Sequence, residues 1–355
     1  MKKRVLVGMS GGVDSSVAAA LLKKRGYDVI GITMQLLPSD SEKDSACCNL
    51  GSVNDAKRVA SALGIPHYSI NSRAPFQEKV IDHFVSQYLQ GHTPNPCVEC
   101  NRHIKFEELY AKAKDLDADY IATGHYCKKY YHPATGTYQL RRAKDPIKDQ
   151  SYFLYMMQSE QLKSVLFPLG GYDKSEIRDM ARELKLVNAD KEDSQEICFV
   201  TQKSYKTFIQ EQADPEYLKP GDIVGLNGEK LGTHAGIYQY TIGQRRGINI
   251  SGPDPLYVLK INAADNTVVV GPLEGLRHAS LALKHVTLVN PSEDVVGKEF
   301  GVKMRSQMAM VTGKVISCGD GEARVELLSA QSFMPTGQSC VLYQGDRVVG
   351  GGVIY

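Results

Sequence analysis

The chain has 355 residues, of which 42% are hydrophobic and 23% are charged, and its formal net charge is +2. This length exceeds one ordinary domain, and the composition is that of a globular protein and not of a disordered or fibrous one. The near-neutral charge excludes a protein that attracts polyanions over its whole surface, and no apolar run predicts a membrane span, so we expect a cytoplasmic protein.

The first half alternates predicted strands and helices. The runs RVLVGM, DVIGITMQ, HYSI and DYIATG predict strands. The stretches between them have helical periodicity, with Ser52 as a candidate cap of one helix and Gly26 and Gly64 as stops. Strands joined by such helices form an α/β fold with a parallel sheet, whose ligand sites lie beyond the carboxyl ends of the strands.

The pattern changes after about residue 205, where glycines become frequent and helical periodicity is lost. From Leu281 onward, short alternating runs are separated by Gly, Asp and Pro, which is typical of a small barrel. We therefore predict three units. They are an α/β catalytic domain over 1–208, a small glycine-rich, β-containing linking domain over 209–278 and a C-terminal β-barrel over 279–355.

A loop rich in glycine and serine, GMSGGVDSS, follows the first predicted strand. Glycines let the backbone approach an anion, and the hydroxyls of Ser10, Ser15 and Ser16 can donate hydrogen bonds. The helix that starts near Asp14 directs its positive end to the same place. We therefore predict that the loop holds phosphate, although it has neither the Gly-Lys-Ser/Thr of a Walker A motif nor a G-x-G-x-x-G pattern.

The string SGGVDS resembles the pyrophosphate loop of the PP-loop ATPases, which cleave ATP between the α and β phosphates and adenylate a substrate oxygen. The resemblance implies Mg²⁺ with the ATP, and Asp14 near both. On its own, Met34 would be taken as a core side chain. The implied ATP-binding residues are Gly8, Met9, Ser10, Gly11, Gly12, Val13, Asp14, Ser15, Met34 and Gly124.

Two of the stretches that contain the eight cysteines suggest chemistry. In TPNPCVECN we expect Cys100 at or near the start of the next helix, where the helix dipole and the following basic residues favour a thiolate. Cys97 and Cys100 can also be half of a zinc site, but no second pair with matching spacing follows. Cys198, in DSQEICFV, lies in a polar turn before apolar residues, and alone it would be taken as a structural thiol.

The stretch from Cys127 to Lys148 is basic and carries interleaved tyrosines. Cations that meet phosphates, next to aromatic faces that meet bases, suit RNA. A solvated hairpin whose tyrosines pack on the domain is the alternative. The cations are Lys128, Lys129, Arg141, Arg142, Lys144 and Lys148, the single acid is Asp145, and the tyrosines are Tyr130, Tyr131 and Tyr138.

Several stretches together resemble the tRNA-specific 2-thiouridylases, in which GMSGGVDSS, TPNPCVECN, IKF, ATGHY, KDQSYFLY, FPLG, SQEICFV and TIGQRRG recur in this order. The resemblance covers essentially the whole chain. It implies ATP-dependent 2-thiolation of the wobble uridine of tRNA, through adenylation of the C2 oxygen, transfer of a persulfide sulfur, and release of AMP and pyrophosphate. A base that leaves the stack exposes its C2, and a thiol of low pKa is a suitable attacking group.

The resemblance also implies roles for single residues. Cys198 matches the persulfide carrier, and Cys100 matches the nucleophile that releases the sulfur and ends in a transient disulfide with Cys198. Asn95, Pro96 and Cys97 match the stretch that contacts the target base. The positions that match tRNA contacts are His125, Lys148, Asp149, Gln150, Arg305, Ser306 and Gln338. The implied partners are tRNA and a persulfide sulfur-donor protein, without a membrane.

One residue departs from the family, because some members carry an aspartate, proposed as an acid or base, where this chain has Cys97. Three thiolates at Cys97, Cys100 and Cys198 leave an iron–sulfur cluster open as an alternative to the simple persulfide path. Two other functions also stay open at this point. Another PP-loop ligase would not need Cys100 and Cys198, and a non-catalytic nucleotide- and RNA-binding thiol redox sensor would not release AMP and pyrophosphate.

Overall fold

The computed structural model describes residues 2–37, 50–192, 197–200, 204–250 and 254–355. Cys47 and Cys48, for which the sequence suggests no role, lie outside these ranges, as do residues 193–196 just before Cys198. Within the described residues, no helix combines the length and the apolar character that crossing a membrane requires.

A five-stranded parallel sheet lies in the first half of the chain, with the strand order β3-β2-β1-β4-β7. Its central strand carries Val5, Leu6 and Val7, which are fully buried, and such a strand reads as an unbroken apolar run because both faces are covered. The predicted α/β fold is confirmed, and β7 adds a fifth strand. The strands are β1 (Arg4–Gly8), β2 (Asp28–Gln35), β3 (His67–Asn71), β4 (Tyr120–Ala122) and β7 (Val165–Leu166).

Successive residues of β1 pack into two different cores. Leu6 packs in a cluster with Leu109 and Ala113, whereas Val5 and Val7 pack in another cluster with residues of α1, α2 and α8. The helices are α1 (Val13–Lys24), α2 (Leu50–Ala62), α3 (Arg73–Phe76), α4 (His83–Leu89), α5 (Pro96–Glu99), α6 (Glu107–Asp115), α7 (Ser159–Lys163), α8 (Lys174–Glu183) and α9 (Tyr205–Gln212). Two π-helical segments, Gln77–Asp82 and Cys100–Phe106, join α3 to α4 and α5 to α6.

Ser52 is not the cap that the sequence suggested. The helix α2 already includes Leu50, so Ser52 lies inside its first turn, and the residue is buried. Its hydroxyl lies 3.3 Å from the Lys191 ammonium. A serine ahead of an amphipathic stretch is therefore explained here by a tertiary contact and not by capping.

The second half consists of a small sheet and a closed barrel, which confirms the predicted architecture. The small sheet has the order β10-β11-β8-β9, and the barrel has the order β12-β15-β14-β13-β16-β17, closed by pairing of β12 with β17. The strands are β8 (Gly221–Val224), β9 (Lys230–His234), β10 (Tyr257–Asn262), β11 (Thr267–Gly271), β12 (His278–Leu288), β13 (Glu299–Lys303), β14 (Val311–Gly319), β15 (Glu322–Gln331), β16 (Ser339–Gln344) and β17 (Arg347–Ile354).

Two elements connect these halves. The hairpin of β5 (Cys127–His132) and β6 (Thr137–Arg142) extends the barrel sheet, because Arg141 pairs with Arg347 of β17. The helix α9 crosses the predicted boundary at residue 208 and stacks Tyr205 on Tyr88, with ring centroids 4.9 Å apart. The predicted division at this residue therefore falls inside a helix that packs on the first unit.

Candidate functional site

A cavity of about 430 Å³ lies where β1, β2 and β4 end. Gly8 ends β1, Met34 lies near the end of β2, and Gly124 follows β4, and all three line the cavity. This is the edge at which parallel sheets bind ligands. The lining includes the glycine loop and Gly124, which we call the loop wall, and Cys97, Cys100 and Cys198, which we call the thiol wall.

Hydrogen bonds within the glycine loop fix its shape. The Ser15 hydroxyl accepts a bond from the Ser10 backbone N–H at 3.1 Å and lies 3.1 Å from the Gly12 carbonyl, to which it donates. Gly11 has a φ of 72° and packs against the backbone of Ser52, so a side chain there would be both strained and obstructed. The loop and the start of α1 thus line the cavity together, and the N-terminus of a helix is a favourable place for an anion.

Gly124 packs directly against this loop. A Cβ atom at Gly124 would lie 2.7 Å from the backbone nitrogen of Ser15, a distance that real Cβ contacts do not show. The half-buried side chain of Met34 lines the same cavity. Every predicted ATP-binding residue except Gly11 lines the cavity. Gly11 instead packs against the backbone of Ser52.

Asn188 and Lys191 support the loop from behind, and sequence reasoning missed both. The amide nitrogen of Asn188 lies 2.9 Å from the Gly11 carbonyl and 2.9 Å from the Ser16 hydroxyl. The Lys191 ammonium lies 2.9 Å from the Asp55 carboxylate and 3.5 Å from the Gly11 carbonyl, and Lys191 lines the cavity. Their proximity in sequence to SQEICFV is the one signal that could have drawn attention to them.

Asp14 is held by two donors that the sequence also did not reveal. The Lys174 ammonium and the Tyr126 hydroxyl each lie 2.7 Å from the same oxygen, Oδ1. Lys174 is 9% exposed, so Asp14 compensates a nearly buried cation. The Asp14 carboxylate thus lies beside the loop and lines the cavity.

The thiol wall begins with a helix that starts earlier than expected. Asn95 is the N-cap residue and Pro96 the first residue of α5, so Cys97 lies in the first turn and is exposed. Cys100 is buried at the start of the π-helical segment, one turn inside the helix. Because the dipole effect falls off within the first turn, the expected thiolate stabilisation acts more on Cys97 than on Cys100.

Cys198 is half-buried in a turn that leads into an aromatic cluster. The ring of Phe199 lies 5.8 Å from that of Phe76 and 5.3 Å from that of Phe84, both measured between centroids. These edge-to-face contacts fix the chain immediately after Cys198. Cys100 and Cys198, which are far apart in sequence, therefore line the same cavity.

The other described cysteines have different surroundings. Burial raises the pKa of the Cys340 thiol to about 12 and that of Cys127 well above its usual value. Burial also raises the pKa of Cys318. Because the thiolate is the reactive form, these three side chains are poor nucleophiles.

The described residues contain no group of three or more His, Cys, Asp or Glu side chains arranged to hold a metal ion. Cys97, Cys100 and Cys198 share the cavity but do not form such a group in this conformation. An iron–sulfur cluster would therefore require these three side chains to move.

The residues predicted to contact tRNA in the first unit differ in exposure. His125, Lys148 and Gln150 line the cavity. Burial lowers the pKa of His125 well below its usual value, so its ring is neutral at pH 7, and its Nδ1 lies 2.8 Å from the Thr123 hydroxyl. The side chain of Asp149 is only 3% exposed. Its carboxylate accepts hydrogen bonds from Arg142, Ala143 and Ser151 within the protein.

The three predicted contacts in the barrel also differ. Gln338 donates to the carbonyl of Thr93 at 2.8 Å and so attaches the barrel to the loop before Cys97. The carbonyl of Ser306 accepts a hydrogen bond from Lys303 at 2.7 Å. Arg305 is exposed and donates to the carbonyl of Phe333.

The basic stretch from Cys127 to Lys148 contains the β5–β6 hairpin, and we call it the basic hairpin. Most of its cations form ion pairs or cation–π contacts within the protein. Arg142 lies 3.2 Å from the Asp149 carboxylate, and Lys144 bridges Asp173 and Glu176 at 2.8 and 2.9 Å. The remaining contacts follow the same pattern: Arg141 lies 4.3 Å over the ring of Tyr130 and 3.6 Å from Asp346, and Lys129 lies 5.1 Å over the ring of Tyr138. These contacts support the alternative of a packed hairpin.

Three family models together match nearly the whole chain. Residues 3–202 match the tRNA methyl transferase HUP domain, residues 206–272 the tRNA methyl transferase PRC-barrel domain, and residues 278–354 the aminomethyltransferase β-barrel domain.

Full-length relatives share nearly half of their residues with this chain. A tRNA-specific 2-thiouridylase MnmA from Clostridioides difficile is 44% identical over 358 residues, which is 100% of this chain and 98% of the relative. A protein named tRNA-specific 2-thiouridylase MnmA 2 from Caldanaerobacter subterraneus is 47% identical, covering 99% of this chain and 97% of the relative. One from Anaplasma marginale is 47% identical, covering 99% and 90%.

Among solved structures, a 4-thiouridine synthetase in complex with RNA and ATP is 18% identical and covers 61% of this chain and 51% of its own. Its TM-score of 0.40 is too low to support an inference.

Proposed function

The chain belongs to the family of tRNA-specific 2-thiouridylases, and we propose that it uses ATP to thiolate C2 of the wobble uridine of tRNA. The observation that carries this proposal is one cavity that is lined both by a pyrophosphate-type loop and by three cysteines. Such a cavity can activate an oxygen and deliver sulfur to the same carbon without releasing the activated base.

The loop wall fits the adenylation step. The glycine loop and the N–H groups at the start of α1 would hold the β and γ phosphates, which leave together as pyrophosphate. Met34 and Gly124 would line the adenine and ribose. Asp14 is the carboxylate that would face an accompanying Mg²⁺ ion, which would neutralise charge on the leaving pyrophosphate.

The thiol wall fits the sulfur transfer. The Cys198 persulfide, charged by a sulfur-donor protein, is attacked at its inner sulfur by the Cys100 thiolate. A Cys100–Cys198 disulfide forms and hydrosulfide leaves. The hydrosulfide attacks the adenylated C2, AMP departs with the former C2 oxygen, and one proton is released. An external dithiol then reduces the disulfide.

The base and its tRNA would reach the cavity beside the start of α5. Asn95, Pro96 and the exposed Cys97 are the residues that we assign to the target base. His125, Lys148 and Gln150 line the cavity and would contact the flipped nucleotide or its neighbours, and Arg305 would contact tRNA from the barrel. Asp149 and Gln338 make intramolecular bonds, so we assign them a positioning role. A cytoplasmic location agrees with a tRNA substrate.

The family models carry the words methyl transferase, but the site favours thiolation. Methyl transfer to a base needs neither a pyrophosphate loop nor paired thiols, and the site has both. A carboxylate ligase would use the loop alone, and a redox sensor would use the thiols alone. Placement of both sets on one cavity favours a reaction that needs both.

Mass spectrometry of a tRNA transcript after incubation with the protein, ATP and a persulfide donor tests the function directly. We expect 2-thiouridine at the wobble position, together with AMP and pyrophosphate in equal amounts. Formation of ADP and phosphate would contradict the loop assignment. Unmodified tRNA with continued adenylation of a carboxylate would favour the ligase, and ATP binding without tRNA-dependent AMP release would favour the sensor.

A further inference from the structure

The loop TIGQRRG, residues 241–247, is held rigidly. The N–H of Gly243 donates to the Val258 carbonyl at 2.8 Å, and the N–H of Val258 donates to the Gln244 carbonyl at 2.9 Å. The Gln244 side chain donates to the Arg246 carbonyl at 2.9 Å. The backbone of the loop is therefore ordered before any partner arrives.

Arg245 and Arg246 in this loop are both exposed. Neither guanidinium forms an ion pair with any residue that the structure describes, unlike Arg142 and Lys144 of the basic hairpin. Two adjacent, exposed cations on an ordered backbone retain their charge for a partner. The hairpin has more cations, but acidic and aromatic neighbours already engage most of them.

The loop packs on the barrel at Phe333. A side chain at Gly243 would collide with the Phe333 ring, and the ring centroid of Tyr257 lies 6.3 Å from that of Phe333. The Phe333 carbonyl accepts a hydrogen bond from Arg305, and Phe333 as a residue is 37% exposed. The loop that carries the two exposed arginines thus contacts Phe333, a partly exposed aromatic residue that is also bound by a third arginine, Arg305.

This surface connects to the cavity through the barrel loop 333–338. Gln338, at the end of that loop, donates to the carbonyl of Thr93 beside the target-base residues. Five residues of extended chain span at most about 18 Å, so Phe333 lies within that distance of Gln338. A nucleic acid whose base enters the cavity would carry further phosphates at distances of this order.

We propose that Arg245 and Arg246, together with Arg305 and the ring of Phe333, form a second tRNA-binding surface that contacts phosphates away from the modified base. The proposal rests on the proposed function, because it takes tRNA as the substrate. Arginines supply the charge that phosphates require, and the exposed ring supplies a face for an unpaired base.

The test measures the affinity for a tRNA transcript at several salt concentrations, using Arg245→Ala/Arg246→Ala. Each lost phosphate contact lowers the slope of log affinity against log salt by about 0.7 to 0.9, so we expect the slope to fall by up to about 1.8. ATP binding should not change. Arg245→Lys/Arg246→Lys should keep most of the slope. Phe333→Leu should weaken tRNA binding without changing the salt slope.

Lys24→Ala/Arg25→Ala is the matched control, because it removes the same charge from exposed residues at the end of α1, on the opposite edge of the sheet. An unchanged slope in the Arg245/Arg246 variant, or an equal fall in the control, would overturn the proposal. So would unchanged tRNA binding with impaired sulfur uptake from a donor protein. If the wild-type protein itself bound no tRNA, the proposed function would fail. That result differs from wild-type binding with an unchanged slope in the variant, which would overturn only the second tRNA-binding surface.

Discussion

The loop wall and the thiol wall of the cavity are built by different means. The loop wall is a continuous stretch of chain whose hydrogen bonds close on themselves and on Asn188, so its shape exists before a ligand binds. The thiol wall joins an exposed, a buried and a half-buried cysteine from two different parts of the chain. A preformed anion site can stabilise charge without rearranging, whereas two sulfurs that must bond to each other need segments that can move.

The comparison predicts that small steric changes damage the loop wall most. Gly124→Ala places a Cβ atom 2.7 Å from the Ser15 nitrogen, so the loop must shift. A displacement of about 1 Å in a positioned group costs about 100-fold in rate, and we expect a loss of this size in tRNA-dependent pyrophosphate release. Gly171→Ala is the control, because a Cβ atom there meets nothing within 4 Å. Equal rates in both variants would contradict a rigid loop.

A smaller effect is expected where the loop is supported from behind. Lys191→Met removes the ammonium that contacts Gly11 and Asp55 and lines the cavity. Hydrogen bonds to charged groups contribute about 1.5 to 3 kcal/mol, so ATP should bind roughly tenfold or more weakly by calorimetry. Lys57→Met, an exposed lysine on α2, should leave the affinity unchanged. Wild-type affinity in Lys191→Met would show that the lysine serves only the fold.

The smallest expected effect is that of His125 on the free energy of unfolding at low pH. Because the folded-state pKa of His125 is lowered, the unfolded chain binds a proton first as the pH falls. Stability is therefore complete above the unfolded pKa of about 6.5 and declines below it, by about 1.4 kcal/mol per pH unit for one proton. His67, His92 and His234 also have lowered pKa values, so His125→Gln should reduce the decline without abolishing it. Urea unfolding of the wild type and of His125→Gln at pH 7 and pH 5 measures the loss of stability. An equal loss in both proteins would contradict the assignment to His125.

The loop wall was largely predictable from sequence, and the thiol wall was predictable only in part. Strand–loop–helix patterns are local, so the loop, its helix and the edge of the sheet followed from residues that are neighbours in the chain. The supports of the loop did not, because Asn188 contacts Gly11 across 177 positions and neither residue has a local signal for that contact.

Charge counts left the hairpin with Arg141 and Arg142 open as an RNA-binding face, but a count does not reveal the acidic or aromatic neighbours that other segments supply. The helix that leads to Cys100 starts earlier than the sequence predicts, because Pro96 is its first residue. Proline at this position is favourable, and the motif alone did not distinguish the two cases.

The central claim is that one cavity performs two separable steps, and the cysteine variants separate them. Cys100→Ser and Cys198→Ser should each bind ATP and tRNA and release pyrophosphate in a single turnover, but neither should form 2-thiouridine. Cys318→Ser, at a half-buried position in the barrel, should retain full activity. Cys97→Asp should stay active on the persulfide path and should lose activity together with bound iron if a cluster is used.

The most direct measurement is peptide mapping under non-reducing conditions after one turnover of wild-type protein without reductant, with 2-thiouridine quantified in the same sample. The account predicts one Cys100–Cys198 disulfide for each 2-thiouridine formed. Normal formation of 2-thiouridine by Cys198→Ser, or by wild-type protein without that disulfide, would contradict it.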